Sequence, residues 1–458
     1  MKRWIKSGAA ILLSTVVMAG CTFGGGGQAG QWDQEEKATI RVMYYDERSF
    51  YQTYGNLFYA KYPNIDIEVV STQGIYKPDT DYREEFAKFI EEEQPDILML
   101  TSDQYEKYAE EGYLYDLESY IQQSNFDLEG ILPAGIDYLK IKGGGKLYGL
   151  SPTFSGRALY YNKDLFDQHG VSFPQDQMSW DEVFDLAKRF AGLEKDGKPV
   201  YGLSLGNYTT LEYVVSTIGN TMRQTYVNPD TMTVTIDTEG WNHIVTSAVD
   251  LFQSGALHQE ERDSGPRSFY TMEDFYKEQV FIDGRAAMSL DYHYMLGELA
   301  QAKTVLKDKM PEWDVVTMPV DPSQPDVSSS FSADQIFAIN AKSGNTRAAW
   351  ELIKYISGDE YARVMSKSGT ERGLLARTEY IKNEEGRNIE AFYKLKPEET
   401  SLYKNYDKLP ENFLMTFNEW IQEELDLVAK NEKSVAEALA TIQDKGQAEL
   451  NRTKEEGS

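Results

Sequence analysis

An α/β fold built on a doubly wound sheet is what the first stretch of patterned sequence predicts, and three observations carry it. Apolar residues alternate at Ile40, Val42 and Tyr44, and again at Ile65, Ile67 and Val69, the period-two signature of strands. Between them Phe50, Tyr54, Leu57, Phe58 and Lys61 fall at helical spacing until Pro63 stops the helix. Tyr82 to Glu93 then reads as a charged amphipathic helix, and Pro95 precedes the run Ile97-Leu98-Met99-Leu100, which suits a strand buried on both faces. Strand–helix–strand–helix–strand implies right-handed crossovers. Ligands of such sheets sit beyond the carboxyl ends of the strands. That edge carries Tyr45, Asp46, Glu47 and Arg48, then Thr72, Gln73 and Gly74, and then Thr101, Ser102 and Asp103.

The residues before this unit read as an export signal and tether. Lys2, Arg3 and Lys6 form a cationic start, and the apolar stretch Ala9 to Met18 is shorter than the roughly 20 residues a spanning helix needs. The stretch ends Ala19-Gly20-Cys21, small residues before the only cysteine of the 458 residues. One cysteine excludes an intrachain disulfide and a cysteine-built metal site. Residues 22–34 are rich in Gly, Gln and Ala and read as a flexible tether reaching roughly 20 Å.

The net charge is −28, and it becomes −31 once the three cations of the signal are gone. A polyanion of this size avoids nucleic acid and anionic lipid surfaces. Aromatics make up 13 % of the chain, with 31 tyrosines, which points to a folded protein.

A second unit follows. Tyr138 to Ile141, the turn Gly143-Gly144-Gly145, and Leu147 to Leu150 read as a hairpin. Ala158 to Tyr161 reads as extended. Ser179 and Glu182 form a capping box ahead of the stripe Val183, Leu186, Ala187 and Phe190, so Trp180 reads as a packing residue. A helix from about Thr346 presents Ala349, Leu352, Ile353 and Ile356, with Gly358 as its stop, and the tail from Met415 to Leu450 reads as helical.

Several segments resemble one family. They are FYAKYPNIDIEV (58–69), PDILML (95–100), GKLYGLSP (145–152), LYYNKDL (159–165), SWDE (179–182), GRAAM (284–288) and GLLAR (373–377). In this order they are similar to the extracellular solute-binding proteins of the maltose-binding-protein type, and the sequence around Cys21 resembles a lipobox, where Cys21 carries the lipid. The resemblance implies a two-lobed, periplasmic-binding-protein-like α/β fold with a hinge, preceded by a lipoprotein signal peptide and flexible tether. It divides the chain into a signal peptide (1–20), a lipidated cysteine and linker (21–37), a first lobe (38–153 plus 314–343) and a second lobe (157–310 plus 344–458). The hinge crossing falls at Phe154, Ser155 and Gly156, where few residues absorb the dihedral change of closure.

The function it implies is capture of a small solute, a mono- or oligosaccharide, by a monomeric receptor held at the outer face of the cell membrane by its lipid, serving the permease subunits of an ABC importer. No cofactor, metal or nucleic acid is implied. Sugar recognition needs aromatic faces for C–H surfaces and polar groups for hydroxyls. Asp103 matches an acidic residue that bonds sugar hydroxyls, and equally suits a helix cap. Glu47 and Arg48 match an acid–base pair, Asp46 can substitute, and a solvated turn is the plain alternative. Tyr294 matches a stacking position usually held by tryptophan, and Tyr292 can serve. Asn418 holds the place of a further aromatic platform, with Trp420 nearby. Asp334 departs from the family's glycine pair and either reaches the cleft or is a buried structural acid.

Rival classes are a secreted carbohydrate-active hydrolase and a lipid-anchored adhesion or scaffold protein. Gly202-Leu203-Ser204-Leu205-Gly206 matches G-x-S-x-G, but Tyr201, Leu203 and Leu205 alternate through it, and a loop precedes the cap at Thr209 or Thr210. Ser204 therefore reads as a strand residue, and Asn207 and Tyr208, just beyond the strand, read as ligand candidates. Gly143-Gly144-Gly145-Lys146 lacks the Ser or Thr of a phosphate loop, and the four histidines lack H-E-x-x-H spacing. A glycosidase needs only two carboxylates at the right separation, and 74 acids leave that reading open.

Overall fold

The computed structural model describes residues 35–75, 81–206, 209–259, 271–333, 335–368, 373–381, 383, 385–399, 402–410 and 412–456. The signal, Cys21, the tether up to residue 34, Asn207, Tyr208 and Asp334 lie outside the described residues.

β1 (Ala38–Tyr44) enters a continuous helical stretch: α1 (Glu47–Phe50), one π turn (Tyr51–Gly55) and α2 (Asn56–Lys61), which buries Phe50, Tyr54 and Phe58. β2 (Ile65–Ser71), α3 (Tyr82–Glu93), β3 (Ile97–Leu100) and α4 (Ser102–Glu110) complete the alternation read from the sequence. All four residues of β3 are buried, as its unbroken apolar run requires.

α5 (Glu118–Gln123) and α6 (Pro133–Lys142) come next, and here the expected hairpin is wrong. Residues 138–141 belong to α6, because Ile136, Leu139 and Lys142 recur at helical spacing and Pro133 fits a first helical turn. Gly143 to Gly145 end this helix instead of turning a hairpin. Gly144 and Gly145 take positive φ, and the Gly145 N–H bonds back to the Lys140 carbonyl at 2.8 Å.

The chain continues through β4 (Gly149–Leu150), β5 (Thr153–Phe154), β6 (Arg157–Asn162), α7 (Lys163–His169) and α8 (Trp180–Lys188). The Ser179–Glu182 capping box forms, and Trp180 is buried. The hairpin β7–β8 (Glu194–Lys195, Lys198–Pro199), β9 (Tyr201–Ser204), α9 (Leu211–Thr221), the hairpin β10–β11 (Val227–Asn228, Thr233–Val234) and α10 (Glu239–Gln253) follow. Ser204 is a buried strand residue and Thr210 caps α9, so no nucleophile elbow exists there. Then come α11 (Met272–Glu278), β12 (Ala286–Tyr292), α12 (Met295–Leu306), β13 (Trp313–Thr317), β14 (Val327–Ser328), β15 (Ile336–Ile339), α13 (Thr346–Ile356), α14 (Asp359–Ser368), β16 (Leu374–Leu375), β17 (Lys396–Pro397), α15 (Phe413–Ala429) and α16 (Val435–Glu456).

Two sheets organise these elements. The first has the order β2–β1–β3–β15–β4, with β1 parallel to β2 and β3, and β15 antiparallel to β3 and β4. The second has the order β13–β6–β12–β9, with β6 antiparallel to both neighbours and β9 parallel to β12. On β6 the period of two divides the side chains. Leu159 and Tyr161 enter one core, while Ala158 and Tyr160 enter the core on the other face.

The lobe assignment read from the resemblance needs two corrections. Residues 314–317, assigned to the first lobe, are hydrogen-bonded to β6 in the second sheet, because β13 pairs along its whole length with Arg157 to Asn162. Residues 346–356, assigned to the second lobe, bury Ala349, Trp350, Leu352 and Ile353 in the core of the first sheet, and Tyr361 of α14 joins them. The apolar face of α13 was legible, but which core receives it depends on contacts far apart in sequence.

Among the described residues the chain passes between the lobes at three places: from β4 to β6, from β13 to β15, and from the α14–β16 region to the 3-10 turn Ile389–Phe392. The crossings touch. β5 pairs with β16, Ser155 exchanges two backbone hydrogen bonds with Ser332, and a Cβ at Gly156 would sit 2.6 Å from the Phe392 carbonyl oxygen. Gly156 is thus required by close packing of the first crossing on the third.

Candidate ligand cleft between the lobes

A cavity of about 340 Å³ opens where the lobes and crossings meet, at the lower end of the roughly 300–1,000 Å³ range of small-ligand sites. The first lobe lines it with Thr101, Ser102 and Asp103 from the start of α4, and with Tyr138 and Lys142 from α6. The second crossing adds Ser328, Ser329, Phe331 and Ser332. Asn220 of α9 and the later residues Glu398, Leu402 and Tyr403 complete the lining.

On the first-lobe side most polar groups are bonded within the protein. Thr101 caps α4, its Oγ1 accepting from Gln104 N while the Gln104 side chain accepts from Thr101 N. Asp103 is therefore not the cap. It is exposed in the first turn, where a carboxylate suits the positive helix end, and it faces the cavity. Ser102 Oγ donates to the Ala333 carbonyl at 2.7 Å and accepts from Ala333 N at 3.4 Å. The buried Lys142 ammonium donates to Glu106 at 2.6 Å. Phe331 stacks on Phe154 with centroids 5.3 Å apart and meets Tyr138 edge-on at 5.6 Å.

The other side is built from α9 and the stretch after β17. Tyr403 donates its hydroxyl hydrogen to Asn220 Oδ1 at 2.6 Å, and Glu398 Oε2 pairs with Arg223 Nη1 at 3.0 Å. Burial pushes the Glu398 carboxyl above its ordinary range, against the pull of Arg223 and Lys142. Lys404 reaches back to Glu110 of α4 at 2.9 Å, so this stretch touches both lobes.

The carboxyl end of β12 forms a neighbouring aromatic cluster. Tyr292 and Tyr294 stack with centroids 5.6 Å apart and planes 19° apart, and the Arg157 guanidinium lies over the Tyr292 ring at 5.3 Å. Arg157 also donates to the Tyr213 hydroxyl at 3.2 Å, while its backbone N–H donates to Ser330 Oγ at 3.1 Å, beside the cavity serines. Asp291 sits beneath this cluster. Burial raises its carboxyl, offset by the Tyr292 N–H, the Tyr294 hydroxyl and Arg157.

The expected site residues divide accordingly. Ser102 and Asp103 line the cavity. Phe154 is a core residue behind Phe331, and Ser155 acts through its backbone bonds to Ser332. Tyr292 and Tyr294 present exposed rings in the adjoining cluster. Tyr45, Asp46, Glu47 and Gln73 share the carboxyl edge of β1 and β2 but do not line the cavity. Asp46 caps α1, accepting from Ser49 N at 2.8 Å and Ser49 Oγ at 2.7 Å, which holds its carboxyl below the usual range. Tyr45, Glu47 and Gln73 are exposed. Asn418 is exposed on α15 and Trp420 packs against the second core, and neither lines the cavity. Sequence reasoning missed Tyr138, Lys142, Asn220, Glu398 and Tyr403. The misread helix hid the first two, and the last two lie in a stretch without periodic pattern.

Comparison with known proteins agrees with this architecture. The chain is similar to curated binding proteins of Brucella abortus and Brucella suis, 24 % identical over 218 residues that make up 46 % of this chain and 47 % of theirs. It thus spans about half the length of the curated relatives it matches. Among solved structures it resembles a Listeria monocytogenes ABC substrate-binding protein in complex with cycloalternan, with a TM-score of 0.54 and 20 % identity over 92 % of this chain and 99 % of that one. A sugar transporter from Rhizobium etli in an open conformation gives a TM-score of 0.59 at 20 % identity, covering 90 % of this chain and 99 % of the other. A family 1 extracellular solute-binding protein from Alicyclobacillus acidocaldarius gives 0.61 at 15 % identity, covering 90 % and 98 %. With two α/β lobes, three crossings and a cavity between them, and with the model of bacterial extracellular solute-binding proteins matching residues 34–363, the chain belongs to that family.

Proposed function

We propose that this chain is an extracytoplasmic receptor, lipid-anchored through Cys21, that captures a mono- or oligosaccharide between its lobes and delivers it to the permease subunits of an ABC importer. The observation that carries the reading is the interlobe cavity, lined by five hydroxyl-bearing Ser and Thr residues together with tyrosine rings and carboxylates. Hydroxyl-rich ligands need such a mixture of polar partners and aromatic surface. Two structural neighbours support it, one holding cycloalternan and the other described as a sugar transporter. Among the described residues no helix is long and apolar enough to cross a membrane. In this reading transport belongs to partner subunits. A closed, occupied receptor can signal to them through differential affinity for its two states.

The test is a saccharide screen by thermal shift, with small-angle scattering on each hit. A solute that binds only the native state raises the melting point, and closure lowers the radius of gyration. Cys21→Ser should abolish membrane association of the mature protein. No shift with any saccharide would defeat the ligand assignment. Shifts without compaction would defeat the closure, and membrane retention of a normally processed Cys21→Ser chain would defeat the anchor.

A further inference from the structure

We infer that Tyr403 and Glu398, which follow the third crossing, contact the ligand and set which solute is accepted, an inference that rests on the saccharide-receptor reading above. Three aromatic rings border the cavity. Phe331 is 6 % exposed, packed between Phe154 and Tyr138, and Tyr138 is itself only 7 % exposed. Tyr403 is 53 % exposed, so it is the ring with surface to offer. The C–H face of a sugar needs such a ring, held still. The 2.6 Å bond from the Tyr403 hydroxyl to Asn220 supplies that hold.

The carboxylates show a similar division. Asp103 and Glu398 both border the cavity, and Asp103 is exposed, where water competes for it. The Glu398 side chain is 17 % exposed. Its Oε2 pairs with Arg223 at 3.0 Å, and the carboxyl borders the cavity. A carboxylate oxygen on the cavity wall accepts hydrogen bonds, and a ligand hydroxyl is a donor. Hydrogen bonds to a charged acceptor are about twice as strong as neutral ones, so this contact discriminates between hydroxyl arrangements. Glu398 is placed one residue beyond β17, whose pairing with β14 fixes the backbone beside the cavity serines.

The experiment is calorimetric titration of the full chain and its Y403A, Y403F, E398Q and N418A variants with maltose, D-glucose and D-mannitol as probes. Y403A should weaken every probe the wild type binds by about tenfold or more, and Y403F by less than about threefold, because the ring remains. E398Q keeps the shape and should change the affinity ratio between probes by about tenfold while the chain stays folded, read by circular dichroism. Wild-type affinity in both Y403A and E398Q overturns the assignment and leaves the receptor reading intact. A loss confined to N418A moves the platform to α15 and also overturns it. Absence of any wild-type binding to the probes removes the saccharide reading and this inference with it.

Discussion

On the first-lobe side of the cavity, Ser102 is bonded in both directions to Ala333, Lys142 is buried against Glu106, and Phe331 is fixed between Phe154 and Tyr138. On the opposite side, Tyr403 is 53 % exposed and bonded through its hydroxyl to Asn220, and Glu398 Oε2 pairs with Arg223. The first side is finished by the protein's own bonds, so it changes little when a ligand arrives. The second presents the exposed ring of Tyr403 to the cavity. A cleft built this way limits the ordering cost of binding to one wall and leaves selectivity to the other.

The comparison breaks most visibly in the packing of the two sides. Phe331→Ala removes the middle ring of a buried three-ring contact and should cost about 3–5 kcal/mol of stability. Tyr403→Ala, at an exposed position, loses its bond to Asn220 and should cost about 0.5–1.5 kcal/mol. Urea denaturation of the two variants measures both. Equal costs would mean that the two sides are equally integral to the fold.

A smaller effect tests the electrostatics of the second side. Arg223 lowers the pKa of Glu398 by its charge and its hydrogen bond, against a burial that raises it. In Arg223→Met the carboxyl climbs further above its ordinary value of 4.5. A carboxyl whose folded pKa is raised penalises the fold while it is ionised, and the penalty fades as pH falls from that raised pKa towards 4.5. The variant should therefore lose about 1–3 kcal/mol at pH 7 and clearly less at pH 5. A loss that is constant with pH, measured by denaturation at both values, would show that Arg223 acts by packing alone.

How far the sequence reveals this molecule depends on the range of the forces involved. β1, β2, β3 and the helices between them were legible because alternation and helical spacing are local. The capping box at Ser179 was legible because all its partners lie within four residues. Residues 138–141 were misread because three glycines mark a helix stop as readily as a hairpin turn, and only the burial of Ile136 and Leu139 decides. The sheet that takes residues 313–317 and the core that takes α13 were hidden, since both depend on pairings between distant segments. Ser102 and Asp103, read from the strand-end rule, line the cavity. Glu398 and Tyr403 were not legible, because Arg223 and Asn220, which place them, lie more than 170 residues earlier in the chain.

The smallest expected effect separates the lobes most cleanly. Lys404 and Lys408 are each 52 % exposed; Lys404 pairs with Glu110 at 2.9 Å and with Glu106 of the same helix at 4.0 Å, and Lys408 pairs with Asp230 at 2.6 Å. Glu110 belongs to α4 of the first lobe, whereas Asp230 lies between β10 and β11 of the second, the lobe that also binds Tyr403 and Tyr406. Exposed pairs of this kind contribute below about 1 kcal/mol, so neither Lys404→Ala nor Lys408→Ala should move the melting point appreciably. Their effects on closure should differ. Removing Lys404 deletes a contact between lobes and should shift the open–closed equilibrium by up to about fivefold, read as a larger radius of gyration and a weaker apparent affinity. Removing Lys408 deletes a contact within one lobe and should leave both unchanged. High salt should mimic Lys404→Ala in the wild type, because exposed pairs are screened over about 10 Å at 0.1 M ionic strength. Identical scattering from the two variants would mean that the Lys404–Glu110 pair has no part in holding the lobes together.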